Sequence, residues 1–181
     1  MDRKFRKCGL EVWLRRSLVA CAVLITAAAG AYDAGTTYTV PAGTTVVVTD
    51  ADIAEFNSLT SATFGDANAV LEFNTSTPHA IPITGSGTIR KTSTATWAMT
   101  TSIPDFTGNY DIVAGVVTVN ISSPFGEDAV AYKVTVRNGA TLVLESHSKV
   151  ILRHIHLAGS GAAGRKGAIE MPTSASTHTA P

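Results

Sequence analysis

One pattern occurs three times in the chain and constrains its fold most: a short strand-like run, a two-residue linker, a glycine and a second strand-like run. In Lys133–Ser146, KVTVRNGATLVLES, apolar and polar side chains alternate on both sides of Asn138-Gly139. Alternation with period two is typical of β-strands, because successive side chains point to opposite faces. Asn-Gly between two such runs is also typical of a tight turn, so this copy alone indicates a β-hairpin.

The other two copies favour a bend over a hairpin turn. Residues 38–48 and 110–119 have the same form, with Gly43 and Gly115 in the place of Gly139, but both lack Asn-Gly and one carries Pro41. A bend between strands that do not pair with each other suits a solenoid, in which each strand pairs with the rungs above and below. The sequence therefore predicts an all-β fold, a parallel β-helix (β-solenoid) with rungs of about 20 to 25 residues. A β-sandwich is the alternative that composition leaves open.

Alternating runs mark the candidate strands and the candidate core. The strands are predicted over residues 37–40, 44–49, 69–73, 80–84, 87–91, 96–100, 110–113, 116–121, 131–137, 141–144 and 150–157. Their apolar members are expected to line the core: Ile81 and Ile83, Trp97 and Met99, Val134 and Val136, Leu142 and Leu144. No segment after Tyr32 has a sustained helical period, and Asp50–Asn57 is the best candidate for a short helix.

Residues 1–31 are predicted to be a signal peptide. Six basic residues precede Ser17–Ala28, an apolar region of about a dozen residues that is too short for a membrane span. Ala29 and Ala31 form an A-x-A cleavage signal, so we expect the mature chain to begin at Tyr32. The choice between general and twin-arginine export stays open, because two adjacent arginines are weak evidence.

The composition of residues 32–181 excludes several classes of protein. Both cysteines, Cys8 and Cys21, lie in the predicted signal peptide, which leaves no disulfide framework and no thiolate metal site. The remaining eight basic and twelve acidic residues give a net charge of −4. No nucleic-acid partner is expected, because the sequence shows no basic patch.

Five motifs carry a resemblance to a known family. Gly85–Thr92, GSGTIRKT, followed by Thr96–Met99, resembles the core unit of the autotransporter-associated β-strand repeat. Further elements of that repeat are similar to Phe106–Tyr110, Val117–Val119, Thr135–Leu142 and Leu157–Ile169. Thr92-Ser93-Thr94 lacks the usual glycine, and Trp97 replaces a small aliphatic residue. The resemblance implies a right-handed parallel β-helix in a secreted passenger region, on the extracellular face of a bacterial outer membrane. It implies no enzyme activity.

The predicted domains follow from these observations. Residues 32–171 form the β-solenoid, and residues 172–181 form a low-complexity tail that we expect to be poorly ordered. We further expect the intact reading frame to continue into more rungs and then a membrane anchor, because a solenoid must cap its terminal rung. No defined oligomer is predicted.

Two groups of residues are candidates for metal sites. His154 and His156 alternate on one strand, so both imidazoles should project from one face, with Glu145 and His147 as the nearest further ligands. A pair of solvent-facing histidines is the preferred interpretation, because too few ligands are in view. The carboxylates Asp50, Asp52 and Glu55 lack the glycine and glutamate positions of an EF-hand, which favours a solvated turn or helix start over a calcium site.

Catalytic and cofactor motifs are not found in the sequence. Glu127-Asp128 is the only adjacent acid pair after the predicted signal, and its flanking Pro124 and Gly126 indicate a loop. The glycines of residues 159–167 indicate bends and not a phosphate-binding loop. We therefore predict no catalytic residue, no cofactor and no metal.

Two functions remain at this point. The first is a structural or adhesive surface segment whose partner is a surface glycan or the surface of a host or neighbouring cell. The second is a carbohydrate-active β-helix enzyme of the polysaccharide lyase or hydrolase type. It would need carboxylates and basic residues converging on one face across successive rungs. The available candidates, Arg90, Lys91, Asp105 and Asp111, are dispersed in the sequence.

Overall fold

The computed structural model describes residues 32–121, 123–126, 132–145 and 154–171, together with the backbone of residues 23–26. Strands and bends dominate this part of the chain, and its single helix, α1 (Ile53–Phe56), has four residues. No helix among the described residues is long and apolar enough to cross a membrane. The predicted all-β class is confirmed.

Parallel strands stack into three sheets, one on each face of the molecule. The long sheet contains, in order, β1 (Val23–Thr26), β3 (Thr44–Thr49), β5 (Val70–Asn74), β7 (Thr88–Lys91), β9 (Asn109–Ile112), β11 (Lys133–Arg137) and β13 (His154–Ala158). The four-stranded sheet contains β8 (Thr96–Met99), β10 (Gly115–Val119), β12 (Ala140–Leu144) and β14 (Ile169–Glu170). The three-stranded sheet contains β2 (Thr37–Val40), β4 (Ser61–Phe64) and β6 (Ile83–Thr84).

Each strand pairs in parallel with the strand one turn away in the chain. Along the long sheet the turn is shortest from Val70 to Thr88, 18 residues, and longest from Thr45 to Val70, 25 residues. From β3 to β13 the chain makes about five turns. The predicted β-solenoid is therefore confirmed. The β-sandwich alternative is wrong, because a sandwich is built from antiparallel sheets.

The repeated pattern forms bends, as predicted. Gly43, Gly115 and Gly139 all have positive φ, of 65°, 72° and 86°, a backbone conformation that glycine adopts at little cost. The strands on either side of each bend belong to different sheets. The Gly43 bend joins the three-stranded sheet to the long sheet, whereas the bends at Gly115 and Gly139 join the long sheet to the four-stranded sheet. The same pattern thus forms the bend between two different pairs of sheets.

Aligned columns of inward side chains form the core. Strand register places Val46, Leu71, Ile89, Tyr110 and Val134 in one column of the long sheet, and all five are fully buried. The predicted core residues of strands β8, β11 and β12 are buried too, except Leu144, which is half-buried. Stacking of this kind excludes water from the interior, and such burial contributes about 25 cal/mol per Å² of apolar surface.

Some strand and helix predictions need correction. β4 and β14 were not predicted, and the strand expected at residues 80–84 is only Ile83–Thr84. β4 offers only Ala62 and Phe64 as inward residues, and β14 has two residues, so neither gives a clear alternating signal. The helix expected over Asp50–Asn57 is the shorter α1, which starts after Asp52.

Three predicted segments lie largely outside the described residues. They are the signal peptide with its cleavage residues Ala29 and Ala31, the tail 172–181 and the acid pair Glu127-Asp128. Within the predicted signal peptide, the backbone of β1 pairs with β3. Tyr32, the predicted first residue of the mature chain, is buried and packs edge-on against Tyr38 and Phe56.

Candidate functional site

The outward face of the long sheet carries a cavity of about 360 Å³ that we call the charged groove. Its lining side chains come from four successive rungs and the bends beside them: Glu72, Arg90, Thr92, Asp111, Val113 and Arg137. Register places Glu72 opposite Arg90, and Arg90 opposite Asp111. Because side chains alternate along a strand, these residues point outward while their neighbours Leu71, Ile89 and Tyr110 fill the core.

Opposite charges alternate along the groove and pair with each other. Arg90 lies between two carboxylates, with Nη1 3.4 Å from Glu72 Oε2 and Nε 3.3 Å from Asp111 Oδ2. Arg137 donates to both oxygens of Asp111, from Nε at 2.6 Å and from Nη2 at 3.0 Å. These hydrogen bonds raise the pKa of Arg137. Asp111 therefore accepts three hydrogen bonds from two guanidinium groups, and it fixes the orientation of both.

The hydrogen-bonding capacity left over in the groove belongs mainly to donors. Asp111 uses both oxygens, and Glu72 accepts from Arg90 and, at 3.3 Å, from the hydroxyl of Thr92. In contrast, Nη1 of Arg137 and Nη2 of Arg90 have no hydrogen-bond partner within the described part of the chain. The Arg137 side chain is 54% exposed, whereas that of Asp111 is 9% exposed. The groove thus presents free N–H groups to solvent.

Further basic groups lie next to the groove on the same face. Lys133 is exposed at the start of β11, where register places it opposite His154, and His156 lies opposite Thr135. In residues 32–181 the structure describes six lysines and arginines, and three of them, Arg90, Lys133 and Arg137, are on this face. Glu72 and Asp111 lie on the same face, so the charged side chains described there sum to +1 in a chain segment whose net charge is −4.

The two histidines project from one face, as predicted. Both are exposed on β13, but the described residues contain no group of three or more side chains that could hold a metal ion. The other candidate ligands do not join them, since Glu145 is in no such group and His147 lies outside the described residues.

Asp50 and Asp52, two of the carboxylates considered as calcium ligands, hold loops together through hydrogen bonds. Asp50 Oδ1 accepts from the backbone N–H of Ser76 at 2.7 Å and from the hydroxyls of Ser76 and Thr75, and these hydrogen bonds lower the pKa of Asp50. Asp52 accepts from the backbone and the hydroxyl of Thr49 instead. The two carboxylates thus serve different partners, which favours the turn interpretation.

Only two of the four residues named for an enzyme site reach the groove. Arg90 and Asp111 line it, whereas Asp105 is exposed in a turn elsewhere. Lys91 points into the core, because it occupies the inward position two residues after Ile89. Its Nζ donates to the carbonyl oxygens of Ser93 and Ala114, at 2.6 and 2.9 Å, and lies 5.5 Å from the ring centroid of Trp97. Burial lowers the pKa of Lys91 to about 8.

Glu72 and Arg137 were missed as site residues in the sequence. They are separated from Arg90 by 18 and 47 residues, and only strand register shows that all three share one face. Aligning the strands one turn apart would have revealed the alternation of charges.

No family model, no curated protein and no solved structure gives a match to the chain.

Proposed function

We propose that the chain is a segment of a secreted bacterial surface protein, a β-helix with a structural or adhesive role. The observation that carries the proposal is the outward face of the long sheet, which presents charged and hydroxyl side chains on successive turns around a buried, mainly apolar core. The signal-like residues 1–31 and the motifs of Gly85–Ile169 support secretion and a surface location on sequence grounds. In this proposal the segment lies on the extracellular side of the outer membrane.

The hydrogen bonding of the groove supports binding over catalysis. General acid–base chemistry needs a carboxyl or imidazole group placed to exchange a proton with substrate. Asp111 accepts three hydrogen bonds from arginines, and Glu72 accepts from Arg90 and Thr92. The described partners of both carboxylates are protein donors, which supports a role in orienting the arginines. A surface glycan, or a glycan of a neighbouring or host cell, is the partner that we propose.

A carbohydrate-active enzyme is the second candidate, and one observation favours it. Two carboxylates and two arginines converge in one cavity from four rungs, which is the arrangement that the enzyme hypothesis required. Glu72 and Asp111 lie two strands apart, about 10 Å between backbones, with Arg90 between them.

Surface location and adhesion are testable together. The full chain, expressed from its own reading frame in a Gram-negative host, should be accessible to protease added to intact cells and should begin at Tyr32. Beads coated with the purified protein should adhere to intact bacterial cells more than beads coated with albumin. The proposal would be contradicted if the exported protein retained Met1 or carried a lipid on Cys21. Equal adhesion of both bead types would also contradict it.

The enzyme candidate is tested by measuring release of reducing or unsaturated ends from a panel of polysaccharides. Release by the wild type that is abolished in both Glu72→Gln and Asp111→Asn would establish catalysis in the groove. Absence of release, with adhesion retained, supports the binding function.

A further inference from the structure

The spare donors of the charged groove define the ligand that it can take. Asp111 occupies Nε and one N–H of Nη2 of Arg137, which leaves the outer edge of the guanidinium, with Nη1 and the second N–H of Nη2, directed to other partners. That outer edge matches the two oxygens of a carboxylate. Because Asp111 already holds the guanidinium in place, little additional ordering is needed when a ligand binds.

Positive charge continues from Arg137 in two directions, along the rod to Arg90 and along strand β11 to Lys133. Arg90 lies two strands away, about 10 Å, and Lys133 lies at the other end of the same strand, opposite His154. A polymer with a repeating negative charge can therefore contact several of these groups at once. Glu72 closes this surface at β5, because its carboxylate repels an anionic ligand.

The chemistry of the face argues against other ligands. Among the described residues only Leu157 and Met171 are exposed large hydrophobic side chains, and neither lines the groove. Protein interfaces are enriched in aromatic anchors, which this groove lacks. A neutral glycan offers hydroxyl groups only, whereas a carboxylate also carries the opposite charge and matches the two-pronged edge of a guanidinium.

We propose that the outward face of β7, β9, β11 and β13 binds an acidic polysaccharide, with the outer edge of the Arg137 guanidinium on a sugar carboxylate. This inference rests on the proposed adhesive function and names its ligand class. Arg90 and Lys133 contact neighbouring carboxylates, and Asp111 is a positioning residue that orients Arg137.

Calorimetric titration of the purified full chain with polygalacturonate, which carries a carboxylate on every sugar, tests the inference. Dextran of the same length is the neutral comparison. The wild type should bind polygalacturonate at least about ten times more tightly than dextran, and added salt should weaken the binding. Arg137→Gln and Arg137→Lys should each weaken it about ten-fold or more, because a lysine keeps the charge but not the two-pronged edge.

Two further variants separate the site from general charge effects. Lys133→Gln removes an ammonium group that has no partner among the described residues, so it should weaken binding without unfolding the chain even where an Arg137 variant is unstable. Arg165→Gln is the matched control, because Arg165 pairs with Glu170 in the last loop, away from the groove, and it should bind within two-fold of the wild type.

The inference would be overturned if the wild type bound neither polymer or bound both with equal affinity. It would also be overturned if Arg137→Lys and Lys133→Gln both kept full affinity, or if Arg165→Gln lost as much affinity as they did. The bead adhesion assay keeps the two proposals apart. Adhesion without polygalacturonate binding refutes only the ligand class, whereas loss of both refutes the adhesive function as well.

Discussion

The buried imidazole of His79 should make the solenoid less stable at mildly acidic pH. His79 is 1% exposed, and its ring lies 5.5 Å from the ring of Phe73 and 6.4 Å from that of Trp97, centroid to centroid. Nδ1 is 3.3 Å from the carbonyl oxygen of Ile81, and Nε2 has no hydrogen-bond partner in the described structure. Burial disfavours the charged imidazolium and lowers the pKa of His79 from 6.5 to about 4.

The sign and size of the effect follow from proton linkage. Between pH 6.5 and about 4 the unfolded chain binds a proton at His79 that the folded chain does not bind. The stabilisation is therefore complete above about pH 6.5 and is lost as the pH falls toward 4. The whole difference corresponds to about 3 kcal/mol, of which about 2 kcal/mol is lost by pH 5. Asp50 and Asp66 have lowered pKa values, and that of Lys91 is about 8, so these groups act outside this window.

Urea unfolding followed by circular dichroism at about pH 7.5 and pH 5 measures the free energy of unfolding. His79→Gln keeps a polar group near Ile81 but does not titrate, so it should lose about 2 kcal/mol less than the wild type between the two values. His156→Gln, in which an exposed histidine is removed, should follow the wild type. The same pH dependence in His79→Gln and in the wild type would refute the argument from burial.

Three further predictions concern other residues. Because the folded pKa of Lys91 lies below its ordinary 10.5, stability should rise as pH increases from about 8 to 10.5 in the wild type and not in Lys91→Met, by urea titration. Gly108→Ala should cost about 3 kcal/mol or more, since its Cβ would overlap the carbonyl oxygen of Gly87 on the neighbouring rung. Gly139→Ala has open space around its Cβ but a positive φ, and it should cost about 1 kcal/mol; thermal unfolding measures both. Zinc and nickel should bind the wild type no more tightly than the double variant His154→Ala, His156→Ala; micromolar binding lost in that variant would establish a metal site.

Local features of the fold could be predicted from the sequence. Glycine at Gly43, Gly115 and Gly139 permits a positive φ, and the alternation beside it gives the strand faces, so bends and many strands follow from a few neighbouring residues. Strands of two residues, such as Ile169–Glu170, depend on pairing with the rung beside them and give no such local signal.

The charged groove depended on register, which the sequence did not reveal. The turn that contains α1 is 25 residues long and the next is 18, so no fixed period places Glu72, Arg90 and Asp111 in one column. Lys91 has the parity of Ile89 and therefore an inward position, but its charge argued for solvent. Two carbonyl oxygens and the Trp97 ring compensate for that burial, and they come from residues whose proximity only the fold defines.

The parallel pairing of strands one turn apart has a consequence for the order in which the chain can acquire its structure. Each described strand pair joins segments whose paired residues are 18 to 27 positions apart, so a new rung needs only its predecessor as a template. Loop closure over such a distance costs little more for the last rung than for the first, because its entropy depends on the local loop and not on the length of chain already folded. Such a chain can fold rung by rung from one end while the remainder is still extended in a channel, on a ribosome or under tension. A protein whose core joined its distant ends would have to wait for the whole chain.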